Sequence, residues 1–331
     1  MKILVVGGSG FIGTRLVEEL LRAGHYASIF DKHESADFNQ LVTIGDVRDQ
    51  GALNSALKDI DAVYNLAAEH RDDVMPSSLY YDVNVQGAKN LVQLAEQAGV
   101  RKIIFTSSVA VYGFTERDTD ESGEFRPFNE YGRTKLDAEK VYQEWVRKSP
   151  GRSLTIIRPA VVFGEGNRGN VYNLLNQIAS GKFIMVGNGR NHKSMAYVEN
   201  IAAFLEFALK FDPGEHIFNY ADKPDFDMNT LVALVNRKMG KGDGVGIRFP
   251  YWLGYLGGMF FDIAGRITGK KFPISVIRMK KFCSDTQFSS SKIQKTGFVP
   301  PRSLAEGLER TIQFEFLDTK SDKHRIVFYT E

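Results

Sequence analysis

Residues 2–14 read KILVVGGSGFIGT. Lys2–Val6 is a run of branched apolar residues, and Gly7, Gly10 and Gly13 follow it at G-x-x-G-x-x-G spacing. The pattern predicts a buried strand, a tight turn and a helix running from Thr14 to Ala23. Glycine lets the backbone turn sharply and come close to a ligand. A helix that starts directly after such a turn offers free N–H groups and partial positive charge to an anion. A glycine triplet alone marks only a turn; the strand before it and the helix after it make it specific for a dinucleotide pyrophosphate.

Working outward, the next apolar runs are Ala27–Phe30, Leu41–Ile44, Ala62–Leu66, Lys102–Thr106 and Leu154–Ile157. They lack polar alternation, as strands covered on both faces do. Between them lie helical patterns at Gly51–Lys58, Tyr80–Ala98 and Tyr131–Lys148. This rhythm predicts an α/β chain with a Rossmann-type, doubly wound parallel sheet. Beyond about residue 165 the rhythm weakens. Val171–Ser180, Val198–Phe211, Met228–Lys238 and Ser303–Phe316 read as helices and Gly240–Gly246 as a loop. The expected division is a dinucleotide-binding domain over 1–165, to which later strands return, and a smaller α/β substrate lobe over 166–331.

Asp31 closes the second apolar run. There a carboxylate accepts hydrogen bonds from a ribose diol and repels a 2′-phosphate, which favours NAD over NADP. Asp46, in Gly45-Asp46-Val47, either meets an adenine amine or caps the helix that follows. Tyr131 and Lys135 stand at i and i+4, on one helix face. An ammonium beside a phenol favours the phenolate and draws its pKa towards neutrality, as acid–base chemistry requires. Ser107-Ser108 ends the Lys102–Thr106 strand, and strand ends of this type of sheet face the cofactor crevice. A hydroxyl there can bridge the phenol and a substrate oxygen.

Bulk properties exclude other classes. The 331 residues are 43% hydrophobic and 25% charged, an ordinary globular composition, and a net charge of +2 gives no reason to expect a nucleic-acid partner. The lone Cys283 rules out an intrachain disulfide and fits a reducing compartment. The six histidines (25, 33, 70, 192, 216, 324) have no ligand spacing, so no metal is expected. The first residues run directly into a strand and read as no signal peptide. One segment stands apart. Phe249–Phe261, FPYWLGYLGGMFF, is uncharged and aromatic, and seven Lys/Arg (248, 266, 270, 271, 278, 280, 281) face one acid, Asp262, within 248–281. At 13 residues the apolar run is short of the ~20 that span a bilayer. It reads either as a buried lobe helix or dimer contact, or as an interfacial anchor.

GGSGFIG, Asp31, GDV, NLAA (65–68), SSVAVYG, YGRTK and RPAVVFG (158–164), in this order, resemble the extended short-chain dehydrogenases of the NAD-dependent epimerase/dehydratase type. The resemblance implies Ser108, Tyr131 and Lys135 as catalytic residues. It implies Gly7, Gly10, Phe11, Ile12, Gly13, Asp31, Asp46, Val47, Leu66, Ala67, Ala68, Tyr131, Lys135 and Pro159 around NAD. Tyr112 is expected to pack, and Asn84 either to border the site or to pack. Further blocks, including LAAEHRDDV (66–74), NRGNVYNLL (167–175), KSMAYVENI (193–201) and KKFC-x-x-TQF (280–288), resemble the bacterial epimerases that act on N-acetylglucosamine-pyrophosphoryl-undecaprenol. They imply a lipid-linked pyrophosphoryl sugar as substrate, with His70, Ser108, Val109, Tyr131, Asn170, Arg190 and Lys193 near it. They also imply a homodimer working at the inner face of the bacterial inner membrane. Nucleotide-sugar members usually carry Arg-Asp where this chain has Lys193-Ser194, and an acid where it has Asn200, which leaves Arg190 and Lys193 as cations for a diphosphate. The competing readings are a nucleotide-sugar 4-epimerase, a net sugar oxidoreductase, a sugar dehydratase and a non-catalytic NAD-binding scaffold. Ser108-Val109-Ala110 lacks the acid pair of the dehydratases, and a scaffold would have lost Tyr131 or Lys135.

Overall fold

The computed structural model describes residues 1–71, 74–115, 118–268, 276–318 and 328. Asp72, Asp73, Lys270, Lys271 and His324, singled out above, lie outside these.

Seven strands form one sheet: β1 (Lys2–Val6), β2 (Tyr26–Asp31), β3 (Val42–Ile44), β4 (Ala62–Asn65), β5 (Lys102–Thr106), β6 (Ser153–Pro159) and β7 (Gly214–Tyr220). Their order is β7-β6-β5-β4-β1-β2-β3, and every neighbouring pair is parallel. The chain therefore leaves β1 towards β2 and β3, then returns to its other side through β4. That reversal makes the gap between the ends of β1 and β4 the switch point, where ligands of such sheets bind.

Alternation along the strands builds two cores. Leu4, Val6, Val63, Ile103, Phe105 and Ile156 face one side, covered by the helices Gln50–Ala56, Gly87–Gln97 and Glu130–Arg147. Ile3, Val5, Tyr64, Ile104 and Ile157 face the other, covered by Phe11–Arg22 and Val198–Phe207. Both faces are dry, which is why the strands read as unbroken apolar runs.

A smaller lobe has its own core, in which Phe163, Leu175, Met185, Met195, Tyr197, Leu231 and Leu308 pack together. It comprises the helices Asn170–Ala179, Met228–Lys238 and Leu304–Ile312 with three short strand pairs: Val161–Phe163 with Met195–Tyr197, His192–Lys193 with Phe226–Asp227, and Met185–Val186 with Arg248–Phe249. Two more helices follow, Tyr251–Thr268 and Val276–Cys283. No helix among the described residues is long and apolar enough to cross a membrane.

Three elements differ from the sequence reading. The first helix begins at Phe11 rather than Thr14, so Gly13 sits inside its first turn. The expected helix Tyr80–Ala98 is broken: Tyr81–Gln86 coils in wider i→i+5 turns before the regular helix Gly87–Gln97. A side chain at Gly87 would lie 2.8 Å from Val47, and Asn84 is held by hydrogen bonds across the chain; together they bind this stretch to its neighbours at the expense of regular winding. Strand β7 is a later strand returning to the sheet, as expected, but the sequence reading gives it no range, because GEHIFNY carries Glu215 and His216 at an edge and buries only its last residues.

Candidate active site

The glycine turn is fitted against the end of β4. Gly7 has φ +81°, and a Cβ there would lie 2.6 Å from the Ala67 nitrogen. A Cβ at Gly13 would overlap the Gly7 carbonyl, so the helix starts as close to the turn as backbone allows. That helix has no side-chain cap and no acid in its first turn. The Phe11, Ile12 and Gly13 end thus presents unneutralised N–H groups, the requirement for a pyrophosphate. Asp31 braces the turn: its carboxylate accepts the Ser9 N–H (3.0 Å) and the His33 N–H (3.0 Å). A carboxylate has lone pairs left for a ribose diol. These features fit a dinucleotide.

The remaining residues expected near a cofactor also stand at strand ends. Leu66 donates its N–H to the Val6 carbonyl (2.8 Å), Ala67 donates to Asn65 Oδ1 (3.1 Å), and the Ala68 carbonyl lies 3.4 Å from His70 Nδ1. Pro159 closes β6, in register with Tyr220. Val47 is buried. Asp46 is held on both oxygens by the Arg48 guanidinium (2.9 and 2.7 Å), which lowers its pKa. It does not cap the next helix; Asp49 does, accepting from Gly51 and Ala52.

Tyr131, Lys135 and Glu139 share one face of the helix Glu130–Arg147, and that face points into the fold. Asn129 caps the helix through the Gly132 N–H (2.9 Å). Ser108, just past β5, takes the Ala110 N–H on its hydroxyl (3.1 Å) and is hydrogen-bonded to the Tyr131 phenol. Asn84 fastens this helix to the end of β4: its amide donates to Thr134 Oγ1 (2.9 Å) and the Glu69 carbonyl (3.0 Å), and accepts the Glu69 N–H (2.8 Å).

The electrostatics correct the expectation of a phenol made acidic by its lysine. Burial pushes the Tyr131 pKa up, with only the Ser108 hydrogen bond opposing it. Lys135 is itself buried, and desolvation pushes its pKa down to about 7 against the favourable field of Glu139. Its Nζ lies 4.3 Å from the centroid of the Phe105 ring. In the chain alone burial disfavours both the ammonium and the phenolate, so the pair is not pre-set as phenolate and ammonium before ligand groups enter the crevice.

Beneath it lies a charged cluster whose acid, Glu139, belongs to none of the motifs read from the sequence. Arg158, at the end of β6, clamps Glu139 through Nη2–Oε2 (2.6 Å) and Nε–Oε1 (2.9 Å), and the Ser107 hydroxyl donates to the same carboxylate (2.5 Å). Arg158 also donates to the Tyr112 hydroxyl (2.6 Å), which donates to Asn219 Oδ1 of β7 (2.8 Å). All five side chains are buried. Tyr112 is thereby a packing and hydrogen-bonding residue below the site. Spacing offers a clue to Glu139, since i+4 from Lys135 and i+8 from Tyr131 share a helix face.

Residues expected at a sugar or diphosphate are spread over other elements. Val109 is half-buried after Ser108, packed against the cluster that Val111, Tyr112, Ala160, Ala221 and Phe288 form. His70 follows β4. Asn170 opens the helix Asn170–Ala179. Arg190 sits exposed in a turn, its backbone N–H bonded to Asn188 Oδ1 (3.0 Å). Lys193 donates to the Ser284 carbonyl (2.7 Å), bracing the loop after Val276–Cys283, while Ser194 is hydrogen-bonded to Asp225 (2.8 Å).

A parallel sheet with a glycine turn at its switch point, and a Ser-Tyr-Lys group at the neighbouring strand ends, defines an NAD-dependent short-chain dehydrogenase type of protein. The chain belongs to the NAD dependent epimerase/dehydratase family, whose model matches residues 3–221. It is 53% identical over 331 residues to the N-acetyl-alpha-D-glucosaminyl-diphospho-ditrans,octacis-undecaprenol 4-epimerase of Escherichia coli O157:H7, the alignment covering 99% of each chain. A UDP-glucose 4-epimerase of Lactobacillus helveticus is 29% identical over 77% of this chain and 84% of its own. Among solved structures, the UDP-N-acetylglucosamine 4-epimerase from Bacillus cereus has a TM-score of 0.75 at 20% identity, covering 95% of this chain and 99% of that one. The UDP-glucose 4-epimerase of Thermus thermophilus, solved with NAD, has a TM-score of 0.72 at 21% identity, covering 95% and 98%. Both share the fold.

Removing one member of the buried pair strands the other. Glu139→Gln should destabilise the protein by roughly 3–5 kcal/mol, whereas Glu139→Gln/Arg158→Met should recover much of that loss. Denaturant unfolding of the two variants checks this, and an equal loss in both would contradict the pairing.

Proposed function

We propose that this chain is an NAD-dependent 4-epimerase that interconverts the N-acetylglucosamine and N-acetylgalactosamine of a pyrophosphoryl-undecaprenol carrier, for surface-glycan assembly such as O-antigen. One observation carries the substrate assignment: the end-to-end 53% identity with an enzyme named for that reaction. The replacement of Arg-Asp by Lys193-Ser194 supports it, since Ser194 is committed to Asp225 and Lys193 to a backbone carbonyl. A UDP-linked sugar is the second reading, favoured by the weaker similarity to UDP-glucose 4-epimerases.

NAD, when bound, accepts a hydride from sugar C4 and returns it. The Phe11, Ile12 and Gly13 N–H groups hold its pyrophosphate and Asp31 its ribose, with Asp46, Val47, Leu66, Ala67, Ala68 and Pro159 lining the crevice. Tyr131 Oη takes the C4 hydroxyl proton and later gives it back. The Ser108 hydroxyl donates to the sugar oxygen and steadies the 4-keto state. Lys135, whose ammonium Glu139 favours, stabilises the phenolate and would hold the ribose hydroxyls of the bound dinucleotide. Its neutral tendency in the chain alone ties this function to a loaded crevice. The ketone must turn over between the two transfers, so that inversion at C4 leaves no net redox change. His70, Val109 and Asn170 contact the sugar, and Arg190 the pyrophosphate.

The aromatic helix Tyr251–Thr268 is the face for the lipid surface. Trp252 is 60% and Phe260 68% exposed, and Tyr251, Leu253, Tyr255, Leu256 and Met259 are exposed beside them. Aromatic residues with basic neighbours suit a headgroup region. Peripheral attachment on the cytoplasmic side follows from that reading, and the homodimer is proposed from the family resemblance alone.

Tyr131→Phe should lower turnover by at least a hundredfold while NAD stays bound; near-normal turnover would refute its role. Purified wild type should convert N-acetylglucosamine-pyrophosphoryl-undecaprenol far better than UDP-N-acetylglucosamine, as read by analysis of the released sugar. In flotation with anionic vesicles, wild type should rise with the lipid and Trp252→Asp/Phe260→Asp should stay behind. Equal flotation of both would remove the membrane face.

A further inference from the structure

Two aromatic rings flank the chemistry without being packed into either core. Phe114 lies just past the Ser108–Gly113 turn, and Phe128 stands three residues before Tyr131, next to the capping Asn129. The rings stack with centroids 5.0 Å apart and an interplanar angle of 29°, yet remain 40% and 44% exposed. Gly113 has φ +72°, and any Cβ there would overlap the Arg126 carbonyl, so the two loop arms that carry the rings are pressed together. A third element reaches them: Lys280 Nζ stands 5.6 Å from the centroid of the Phe114 ring. Lys280 belongs to the helix Val276–Cys283, whose first N–H is bound by Asp262 Oδ2 of the aromatic helix (3.0 Å).

The Ser108–Gly113 turn thus leads along the chain to a solvent-facing aromatic pair, Lys280 stands beside that pair, and the helix carrying Lys280 is tied to one whose described residues expose seven large apolar side chains. We propose that Phe114, Phe128 and Lys280 form the exit seat for the carrier: the ammonium takes the pyrophosphate, and the ring faces take the first isoprene units. The assignment rests on the lipid-linked reading above and names the residues that enforce it. A lipid pyrophosphate has three parts in order, a sugar, two phosphates and an apolar chain, and this surface sets a cation directly beside exposed apolar rings, the two features that the phosphates and the chain need. Exposed aromatic area of this kind gains free energy only when an apolar ligand covers it. Lys193, the cation expected from the sequence at the pyrophosphate, already serves a backbone carbonyl; Lys280 supplies a charge on the chemistry side of the aromatic helix.

The test compares N-acetylglucosamine pyrophosphate esterified with a two-isoprene prenol and with methanol. In Phe114→Ser/Phe128→Ser, the ratio of kcat/KM for the prenyl over the methyl ester should fall at least tenfold, and Phe114→Leu/Phe128→Leu should restore most of it. Lys280→Ala should raise KM for both esters by a similar factor. A ratio unchanged in the serine variant overturns the seat, as does an equal loss on both esters, which would mean a purely structural role. If the serine variant does not fold, a prenyl ester with a diazirine on its first isoprene decides the matter in wild type: labelling within 113–128 supports the seat, and labelling elsewhere overturns it. If wild type turns over UDP-N-acetylglucosamine and neither ester, the lipid-linked function itself fails and the seat with it; if wild type turns over the prenyl ester with an unchanged ratio in the variant, only the seat fails.

Discussion

Lys135, Glu139 and Arg158 lie under the crevice with almost no contact with water, and the rest of the site is built around keeping them there. Taking three charges out of water is expensive unless each is paired and hydrogen-bonded. Arg158 and Glu139 meet that condition through a two-point contact, reinforced by Ser107 and Tyr112. Lys135 does not: the charge that favours its ammonium is Glu139, one helical turn away, and burial still drags its pKa to about 7. The position is thus unfavourable in the chain alone, and in the proposed function ligand oxygens in the crevice offset that cost. Strain of this electrostatic kind is what a site gives up in stability for function.

The sheet topology delivers the parts to one place. The ends of β1, β4, β5 and β6 carry the glycine turn, Leu66–Ala68, Ser107-Ser108 and Arg158-Pro159. One helix, Glu130–Arg147, lies across the β4–β6 side and supplies Tyr131, Lys135 and Glu139 at four-residue intervals. Asn84, held in a stretch of wide helical turns, ties that helix to the β4 end. Each of these contacts joins segments apart in the chain, so the crevice is assembled by the tertiary fold.

Much of this is legible in the sequence because it is local. The glycine turn, the six apolar strands of the first half, Asp31 and the Tyr131–Lys135 spacing are patterns within a few residues. What is not legible depends on pairs distant in sequence. Glu139 and Arg158 are unremarkable alone and meet only because β6 runs beside the helix. The edge strand β7 hides behind Glu215 and His216. Spacing suggests an acidic phenol, because it says that two groups are neighbours but not that burial opposes the charge of both. Lys193 reads as a cation for a diphosphate, yet the fold spends it on the Ser284 carbonyl. The aromatic segment is open in the sequence between a buried helix and an exposed one, and its exposure is a property of the folded lobe.

In the proposed reaction hydride leaves C4 and comes back to the same carbon within a single closed crevice, with Tyr131 handling the proton. Following deuterium placed at C4 of the lipid-linked sugar tests this most directly. Mass spectrometry of the N-acetylgalactosamine product should find the label retained at C4, with no deuterium lost to water and none passed to added NAD. Loss of the label to solvent, or its appearance in the free dinucleotide, would contradict the account.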